Sequence, residues 1–257
     1  MKMEEIKSFK RPLCSVCNSE GKELYRDRTD NLFNTSGKWN FFKCINNNCK
    51  TISLNPAPVE EDMHKAYQNY YTHIDLAAKK MNIFRKLFNK IQESYLSNKY
   101  QYSSSTPKYF NLFLFLSPLR KSATDFKVMY LPKLNGKILD IGCGSGDFLL
   151  FMHSKGWNVT GIDSDLKAVQ RAKGKGLNVI KGNLLDQNFQ NESFDAIVLS
   201  HVIEHLYDPN KILNECMRIL KKGGKLVIAT PNIESLGHFI FRQNWRGLEP
   251  PRHINLF

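Results

Sequence analysis

From residue 137 onward, short runs of β-branched and aliphatic residues alternate with longer stretches whose apolar positions recur every three to four residues. Residues 137–141, 158–162, 178–181, 194–200 and 225–230 read as strands, and the segments between them as crossover helices. Such alternation predicts an α/β fold, a doubly wound parallel sheet with helices on both faces. Ahead of it, Ile83, Leu87 and Ile91, joined by Phe84 and Phe88, fall at helical spacing, and the pattern breaks over residues 103–107. The stretch 1–60 shows neither period. It is rich in Cys, Asn and charge and ends at Asn55-Pro56-Ala57-Pro58, which punctuates a boundary. The chain therefore divides into a module over 1–60, a mostly helical segment over 61–124 and the α/β domain over 125–257, with no internal repeat.

A length of 257 residues accommodates one full α/β domain plus a small module, and the 42% hydrophobic content can fill a core. The formal net charge of +13 is uneven: residues 1–135 carry 22 Lys and Arg against 12 Asp and Glu, and residues 136–257 carry 15 against 12. The basic excess ahead of the α/β region suits nucleic acid, anionic headgroups or phosphorylated small molecules, and equally a solvated lysine-rich surface. Residues 1–13 mix Glu4 and Glu5 with lysines and hold no apolar run of the kind a signal peptide needs. The most apolar stretch, Phe110 to Leu116, is too short to cross a bilayer. The expectation is a cytoplasmic protein without a membrane span. Its thiols are then reduced, and six cysteines pose a metal question more than a disulfide question.

The first strand of the α/β region runs into Gly142-Cys143-Gly144-Ser145-Gly146, and a helix follows from about Asp147. Glycines let the backbone turn tightly and approach a ligand closely. The spacing is G-x-G-x-G and not the G-x-G-x-x-G of dinucleotide binders. Asp140 sits just before the turn, where it would oppose a pyrophosphate but suit a ligand carrying ammonium and sulfonium charges. The second strand, one crossover helix beyond Gly142, ends at Asp163, where a carboxylate can accept both hydroxyls of a ribose.

These residues resemble the class I S-adenosylmethionine (SAM)-dependent methyltransferases. The resemblance runs through Ile138-Leu139-Asp140-Ile141-Gly142-Cys143-Gly144-Ser145-Gly146-Asp147-Phe148-Leu149, then Gly161-Ile162-Asp163, Phe194-Asp195, His201-Val202-Ile203-Glu204-His205-Leu206, Leu220-Lys221-Lys222-Gly223-Gly224 and Thr230-Pro231-Asn232. It implies a Rossmann-like fold and SAM as cofactor. The glycine turn, Asp140, Gly142, Gly144 and Gly146, would hold the methionine part, Asp163 the ribose, and Asn183 and Leu184 would flank the adenine, with Ser200 completing the cofactor set. Many members carry Asp where this chain has Asn183.

Cys14-x2-Cys17 is followed, well downstream, by Cys44-x4-Cys49. Two paired thiolate hooks match a tetrahedral four-cysteine Zn2+ site, which lets a core-poor segment fold. The second hook is wider than the usual x2. Unlinked thiols are the alternative. Cys143 and Cys216 read as structural. A zinc ribbon, Asn55-Pro56, a tyrosine cluster (Tyr67, Tyr70, Tyr71) and then a SAM domain resemble a subgroup of bacterial methyltransferases that serve sugar, cell-surface polysaccharide or natural-product pathways. The implied partner is a small-molecule acceptor such as a phosphorylated or nucleotide-linked sugar. The tyrosines are candidates for lining its pocket.

His201-x-x-Glu204-His205 also fits the H-x-x-E-H pattern of one zinc peptidase group. That chemistry needs both histidines on one helix face, yet the motif ends a predicted strand and Asp208-Pro209 follows at once. Methyl transfer asks for alignment of acceptor and donor and, for a weakly acidic acceptor, a general base. The candidate catalytic residues are His205, His253 and His201. His253 sits beside Arg252, where zinc-containing deoxysugar C-methyltransferases have a Glu-His pair, and Arg252 could hold an acceptor phosphate or carboxylate. Two further functions stand beside small-molecule methylation: an RNA methyltransferase with the zinc module and basic half as reader, and a non-catalytic SAM- and zinc-binding module. No run of aromatics interleaved with Lys and Arg points to an RNA surface.

The stretch 231–257 includes Pro231, Pro250 and Pro251 and shows no clear pair of strands. The parallel sheet is therefore expected to lack the terminal hairpin of its class and to be C-terminally incomplete. Its fifth strand would be an open edge, covered by residues 235–245 or by self-association.

Overall fold

The computed structural model describes residues 5–67, 83–107, 117–133 and 135–257. These form two compact units. One holds residues 5–67 with Leu199–Cys216 and Ile228–Phe257; the other holds the described residues between 83 and 198 with Met217–Val227. Phe110 to Leu116, Tyr70 and Tyr71 lie outside the described residues. Among the described residues no helix is long and apolar enough to cross a membrane.

In the first unit β1 (Ser8–Phe9) leads to β2 (Gly21–Arg28), β3 (Trp39–Cys44), β4 (Ile52–Leu54) and β5 (Ala57–Pro58). β2, β3 and β4 pair antiparallel, and β1 pairs with β5. Along β3 the alternation is that of a half-buried strand: Trp39 and Phe41 point inward while Asn40 and Phe42 stay partly exposed. Trp39 and Phe41 build a core with Ile6, Ile52, Leu54, Ala66, Leu248 and Leu256.

Two of those core residues come from the far end of the sequence. β11 (Asn255–Leu256) pairs antiparallel with β4, Asn255 opposite Ser53 and Leu256 opposite Ile52, which completes the order β11-β4-β3-β2. Asn255 is fully buried and its amide is engaged at both ends: Oδ1 accepts from Ser15 Oγ (2.8 Å) and Ser53 Oγ (3.0 Å), and Nδ2 donates to the Leu206 carbonyl (2.7 Å).

Arg252, earlier on the same segment, is fully buried as well. Its Nη1 donates to Asp30 Oδ2 (2.9 Å), Thr35 Oγ1 (3.0 Å) and the Ala66 carbonyl (3.0 Å), and its Nε donates to Glu249 Oε1 (3.0 Å). The guanidinium also lies 4.5 Å from the centre of the Phe33 ring. Asp30 in turn accepts the backbone N–H groups of Leu32, Phe33 and Thr35, so it shapes the loop it stands in. Although burial pushes the Asp30 carboxyl up, Arg252 and these donors win and hold it down at about 2. A guanidinium so engaged is not available to an acceptor phosphate or carboxylate, the role the sequence allowed it.

The second unit carries most of the parallel sheet. β6 (Lys137–Ile141), β7 (Asn158–Asp163), β8 (Val179–Lys181), β9 (Phe194–Ser200) and β10 (Leu220–Ala229) lie in the order β10-β9-β6-β7-β8. Helices Asp147–Ser154, Leu166–Gly174 and Pro209–Ile219 connect them, which makes the sheet Rossmann-like and doubly wound, as expected. Its core runs through Ile138, Leu149, Met152, Val159, Val169, Ala196 and Val198. Helix Ile83–Tyr100 packs through Phe88, Ile91, Tyr95 and Leu96, whereas Ile83 and Leu87, on the expected apolar stripe, are solvent-exposed. Tyr95 Oη, Tyr100 Oη and Lys99 Nζ converge on the buried Asp125 of helix Pro118–Lys127 at 2.8 to 2.9 Å.

β10 starts ahead of its apolar run. Lys221-Lys222-Gly223-Gly224, which reads as a turn, is drawn into the edge strand with Gly223 at φ +76°. β10 closes one end of the sheet order. Beyond it, Asn255–Leu256 is the one further strand among the described residues, and it joins the antiparallel sheet.

Removing one partner of a buried ion pair strands the other charge, at a cost of about 3–5 kcal/mol. Arg252→Ala is therefore expected to lower stability by about that amount in a denaturant titration. Asp30 is held below its ordinary value, so its contribution is full above about pH 4 and lost as the pH falls toward 2. The wild type should shed stability over that window and Asp30→Asn should shed less. Equal acid sensitivity of the two would show that the pair does not carry this share.

Candidate functional site

Within the second unit the glycine turn leaves β6 with three residues in the left-handed region: Gly142 at φ +71°, Gly144 at +53° and Gly146 at +78°. Their surroundings differ. A Cβ on Gly146 would come within 2.6 Å of Leu177 Cδ1, because the turn is packed against the neighbouring helix-to-strand connection. A Cβ on Gly144 would meet nothing within 4 Å. Backbone there borders open space, which is the cradle a closely approaching ligand requires. Lys175 fixes the outer side of the turn, donating to the Ser145 carbonyl (2.8 Å) and to Asp147 Oδ1 (2.6 Å).

Two carboxylates stand beside this turn. Asp163 ends β7; its Oδ2 accepts from Gly144 N (2.7 Å) and its Oδ1 from Asp165 N (2.8 Å). Asp140, on β6 next to the turn and opposite Gly161 of β7, is buried. Burial and then the charge of Asp163 push the Asp140 carboxyl up to about 8. Burial also raises Asp163, although the N–H groups of Asp165 and Gly144 oppose it. A pair of crowded, desolvated carboxylates next to an open glycine turn is an environment a cationic ligand relieves.

The other expected cofactor residues divide. Asn183 Oδ1 accepts from Leu185 N (2.9 Å), so this side chain caps the turn Leu184–Asp186, and Leu184 is buried beneath it. Ser200 is the last residue of β9. Cys143 is buried in the core, where burial raises its thiol pKa.

Within the first unit the three candidate histidines lie around Glu204. The segment Ile203–His205 is a single 3-10 turn, not the helix a zinc peptidase motif needs. His201, at φ +56°, is exposed and its Nδ1 lies 3.2 Å from Glu204 Oε1; Thr230 Oγ1 donates to Glu204 Oε2 at 3.1 Å. The Glu204 side chain is fully buried. Burial would raise its carboxyl, but His201 and then the other histidines bring it below its ordinary value.

The rings of His205 and His253 lie 4.9 Å apart centre to centre, their planes inclined at 60°. His205 Nδ1 lies 2.9 Å from the Arg252 carbonyl and 3.1 Å from Tyr67 Oη; His253 Nδ1 lies 2.7 Å from the Gly247 carbonyl. A carbonyl only accepts, so both Nδ1 atoms carry the proton and both Nε2 atoms keep a lone pair. Burial lowers both imidazoles, His205 to about 4, so they are neutral at physiological pH. Backbone contacts lock the arrangement, with Ile254 N donating to the Glu204 carbonyl at 2.8 Å. Of the tyrosine cluster, Tyr67 is brought to this group.

The four N-terminal cysteines also converge. Their Sγ atoms all lie within 4.8 Å of one another, with Cys14 to Cys49 at 3.7 Å and Cys17 to Cys44 at 3.4 Å. The wide second hook closes because Asn46 starts a turn: its carbonyl accepts from Cys49 N and Lys50 N, and its Oδ1 accepts from Asn48 N. Sequence reasoning missed a further cluster in this unit. Tyr25 Oη lies 2.9 Å from His238 Nε2, and the Trp245 ring lies 4.9 Å from that imidazole, tilted by 33°. These partners come from opposite ends of the chain, and no spacing or motif signals them.

Asp140→Asn tests the carboxylate pair. An acid whose pKa is raised keeps in the folded state a proton that the unfolded chain releases, so its contribution to stability falls as the pH rises from about 4 to about 8. The melting temperature of Asp140→Asn minus that of the wild type, both without ligand, is expected to grow across this window. A flat difference would show that Asp140 is not held in a raised state.

Residues 139–228 match a family described as methyltransferase domain. Among curated proteins the chain is similar to ubiquinone biosynthesis O-methyltransferase of Glaesserella parasuis, 34% identical over 128 residues covering 46% of this chain and 53% of that protein. It is also 34% identical over 97 residues to a probable S-adenosylmethionine-dependent methyltransferase of Mycolicibacterium smegmatis, covering 37% and 38% of the two chains. Among solved structures it is similar to a SAM-dependent methyltransferase from Archaeoglobus fulgidus, 29% identical, with 51% of this chain and 62% of that one covered and a TM-score of 0.41. The chain spans about half the length of the ubiquinone-biosynthesis relatives it matches. The glycine turn and the acid that ends β7 both lie inside the residues that match the methyltransferase domain.

Proposed function

We propose that the chain transfers the methyl group of SAM to a small-molecule acceptor, a sugar-linked compound or a precursor of a polysaccharide or natural product. The observation that carries the cofactor is the open space over Gly144 beside the Asp140–Asp163 carboxylate pair. SAM, when bound, supplies an electrophilic methyl on a sulfonium leaving group. Asp163 would accept the ribose hydroxyls, Asp140 would face the cationic methionine end, and Gly142, Gly144 and Gly146 would let it approach the backbone. Asn183 and Leu184 would flank the adenine through backbone and aliphatic surface, because the Asn183 amide oxygen is engaged as a cap. Ser200 belongs to the same set by its place at the end of β9.

His205 and His253 each present an Nε2 lone pair and are the groups suited to take up an acceptor proton, with His201 holding Glu204 in place. The ubiquinone-biosynthesis relatives are named as O-methyltransferases, which favours an oxygen acceptor. The acceptor class itself rests on the order of zinc module, tyrosine cluster and SAM domain.

Cys14, Cys17, Cys44 and Cys49 would hold Zn2+. Zinc–sulfur bonds of about 2.3 Å in a tetrahedron put sulfurs about 3.8 Å apart, and two of the sulfur pairs lie at 3.4 and 3.7 Å. All six cysteines are free, which suits a reducing, cytoplasmic setting. The β10 edge is the surface through which self-association would occur.

Calorimetry is expected to show binding of SAM and of its demethylated product, and Asp163→Ala to weaken both by about ten- to a hundredfold, the loss of hydrogen bonds to a charged group. Binding of NAD in place of SAM would overturn the cofactor assignment. His253→Ala is expected to lower turnover more than SAM affinity in a labelled-methyl assay with metabolite extract; equal losses would leave it a structural role. Elemental analysis should find zinc, one equivalent of which is lost in the Cys14→Ser, Cys17→Ser double variant while SAM binding survives. Retention of that zinc would place it elsewhere.

A further inference from the structure

We infer that Glu204, His205 and His253 form a second metal site, distinct from the four cysteines, for a borderline divalent cation such as zinc, cobalt or nickel. The ligand atoms of these three residues lie within 4.8 Å of one another. Bonds of about 2.1 Å to nitrogen and oxygen place adjacent ligands about 3 to 3.5 Å apart, so side chains that already converge need close by at most about 2 Å.

The surroundings match what metal-binding imidazoles require. Ligating histidines almost always give their other ring N–H to a carbonyl or carboxylate, which fixes tautomer and ring plane. Both histidines here do so: His205 Nδ1–H donates to the Arg252 carbonyl, and His253 Nδ1–H to the Gly247 carbonyl. Each Nε2 lone pair is thereby left over, although His253 is buried and a neutral imidazole could have used its other nitrogen in a protein hydrogen bond. Glu204 is a buried carboxylate steadied at one oxygen by Thr230 and at the other by His201. Glu249 stands close, its Oε2 4.0 Å from His253 Nε2, and adds negative charge.

Two imidazoles and one carboxylate are a borderline donor set, unlike the all-oxygen shells of calcium and magnesium. Three protein ligands leave coordination positions open. An acceptor with two adjacent oxygens, such as a vicinal diol or a hydroxy acid, would fill them. A coordinated hydroxyl loses its proton more readily, the proton passing to solvent, and the oxygen is then the nucleophile. With the ion in place His205 and His253 act as ligands and not as bases. This use rests on the methyltransferase reading; the binding itself does not.

Cobalt distinguishes the two sites. Thiolate ligands give Co2+ strong near-ultraviolet charge-transfer absorption, and a His2Glu site gives only weak visible bands. Titrating Co2+ into the full chain loaded with a single equivalent of zinc, which the four thiolates hold, is expected to show one further equivalent bound without charge-transfer absorption. Glu204→Gln and His253→Gln should each weaken it at least tenfold while the cysteine-bound zinc and the circular dichroism stay as in the wild type. Anomalous scattering from a cobalt-soaked crystal of the unaltered protein serves where a variant does not fold, with a peak expected between the two Nε2 atoms and Glu204. No second equivalent, charge-transfer absorption from all the cobalt, or a peak elsewhere would overturn the site. SAM binding measured on the same samples reports separately on the methyltransferase reading.

Discussion

The buried guanidinium of Arg252 is the point on which the first unit turns. A desolvated cation is tolerable only where anions and carbonyls surround it, and this one gathers Asp30, Glu249, Thr35 and the Ala66 carbonyl. Those partners come from the loop after β2, from the segment preceding Tyr67 and from Arg252's own turn. Its backbone carbonyl meanwhile takes the proton of His205 Nδ1. One residue thus sets the loop, the approach of Tyr67 and the tautomer of an imidazole. His205 takes its orientation from the backbone of a residue fixed by a buried ion pair.

In the second unit the ordering principle is the opposite. Asp140 and Asp163 are held close with burial raising both, a strained arrangement retained next to a turn of three left-handed glycines. Strain of this kind collects at functional sites, where a ligand relieves it. The parallel sheet supplies the rigidity: β6 and β7 are in register from Lys137 opposite Asn158 to Ile141 opposite Ile162, so the two acids cannot drift apart.

What the sequence disclosed follows the range of the interactions. The glycine turn, Asp140, Asp163 and the parallel strands are written in local patterns of a few residues, and so are the cysteine hooks. The width of the second hook was legible as an oddity, and the Asn46 turn accounts for it. Arg252 was legible as a charge beside a histidine, which suggested an acceptor ligand. Its actual partner Asp30 lies 222 residues away, and no periodicity encodes that pairing. The same holds for Asn255 with Ser15 and for Tyr25 with His238. The Lys221–Gly224 run reads as a turn yet extends the strand, because turn-forming residues can also stretch along an unpaired strand edge, where no second neighbour enforces a register.

The pairing of β11 with β4 has a kinetic side. Leu256 sits opposite Ile52, so this antiparallel sheet has a high contact order although its first three strands are neighbours in sequence. At about 5–20 residues per second of synthesis, the ribosome needs roughly 10–40 s to make the intervening stretch. Through that interval Ile52 and Leu54 lack the strand that later covers them, and β4 is an open edge. An ion captured early by the cysteine hooks would hold β3 and the knuckle before it together while the chain waits for its last strand.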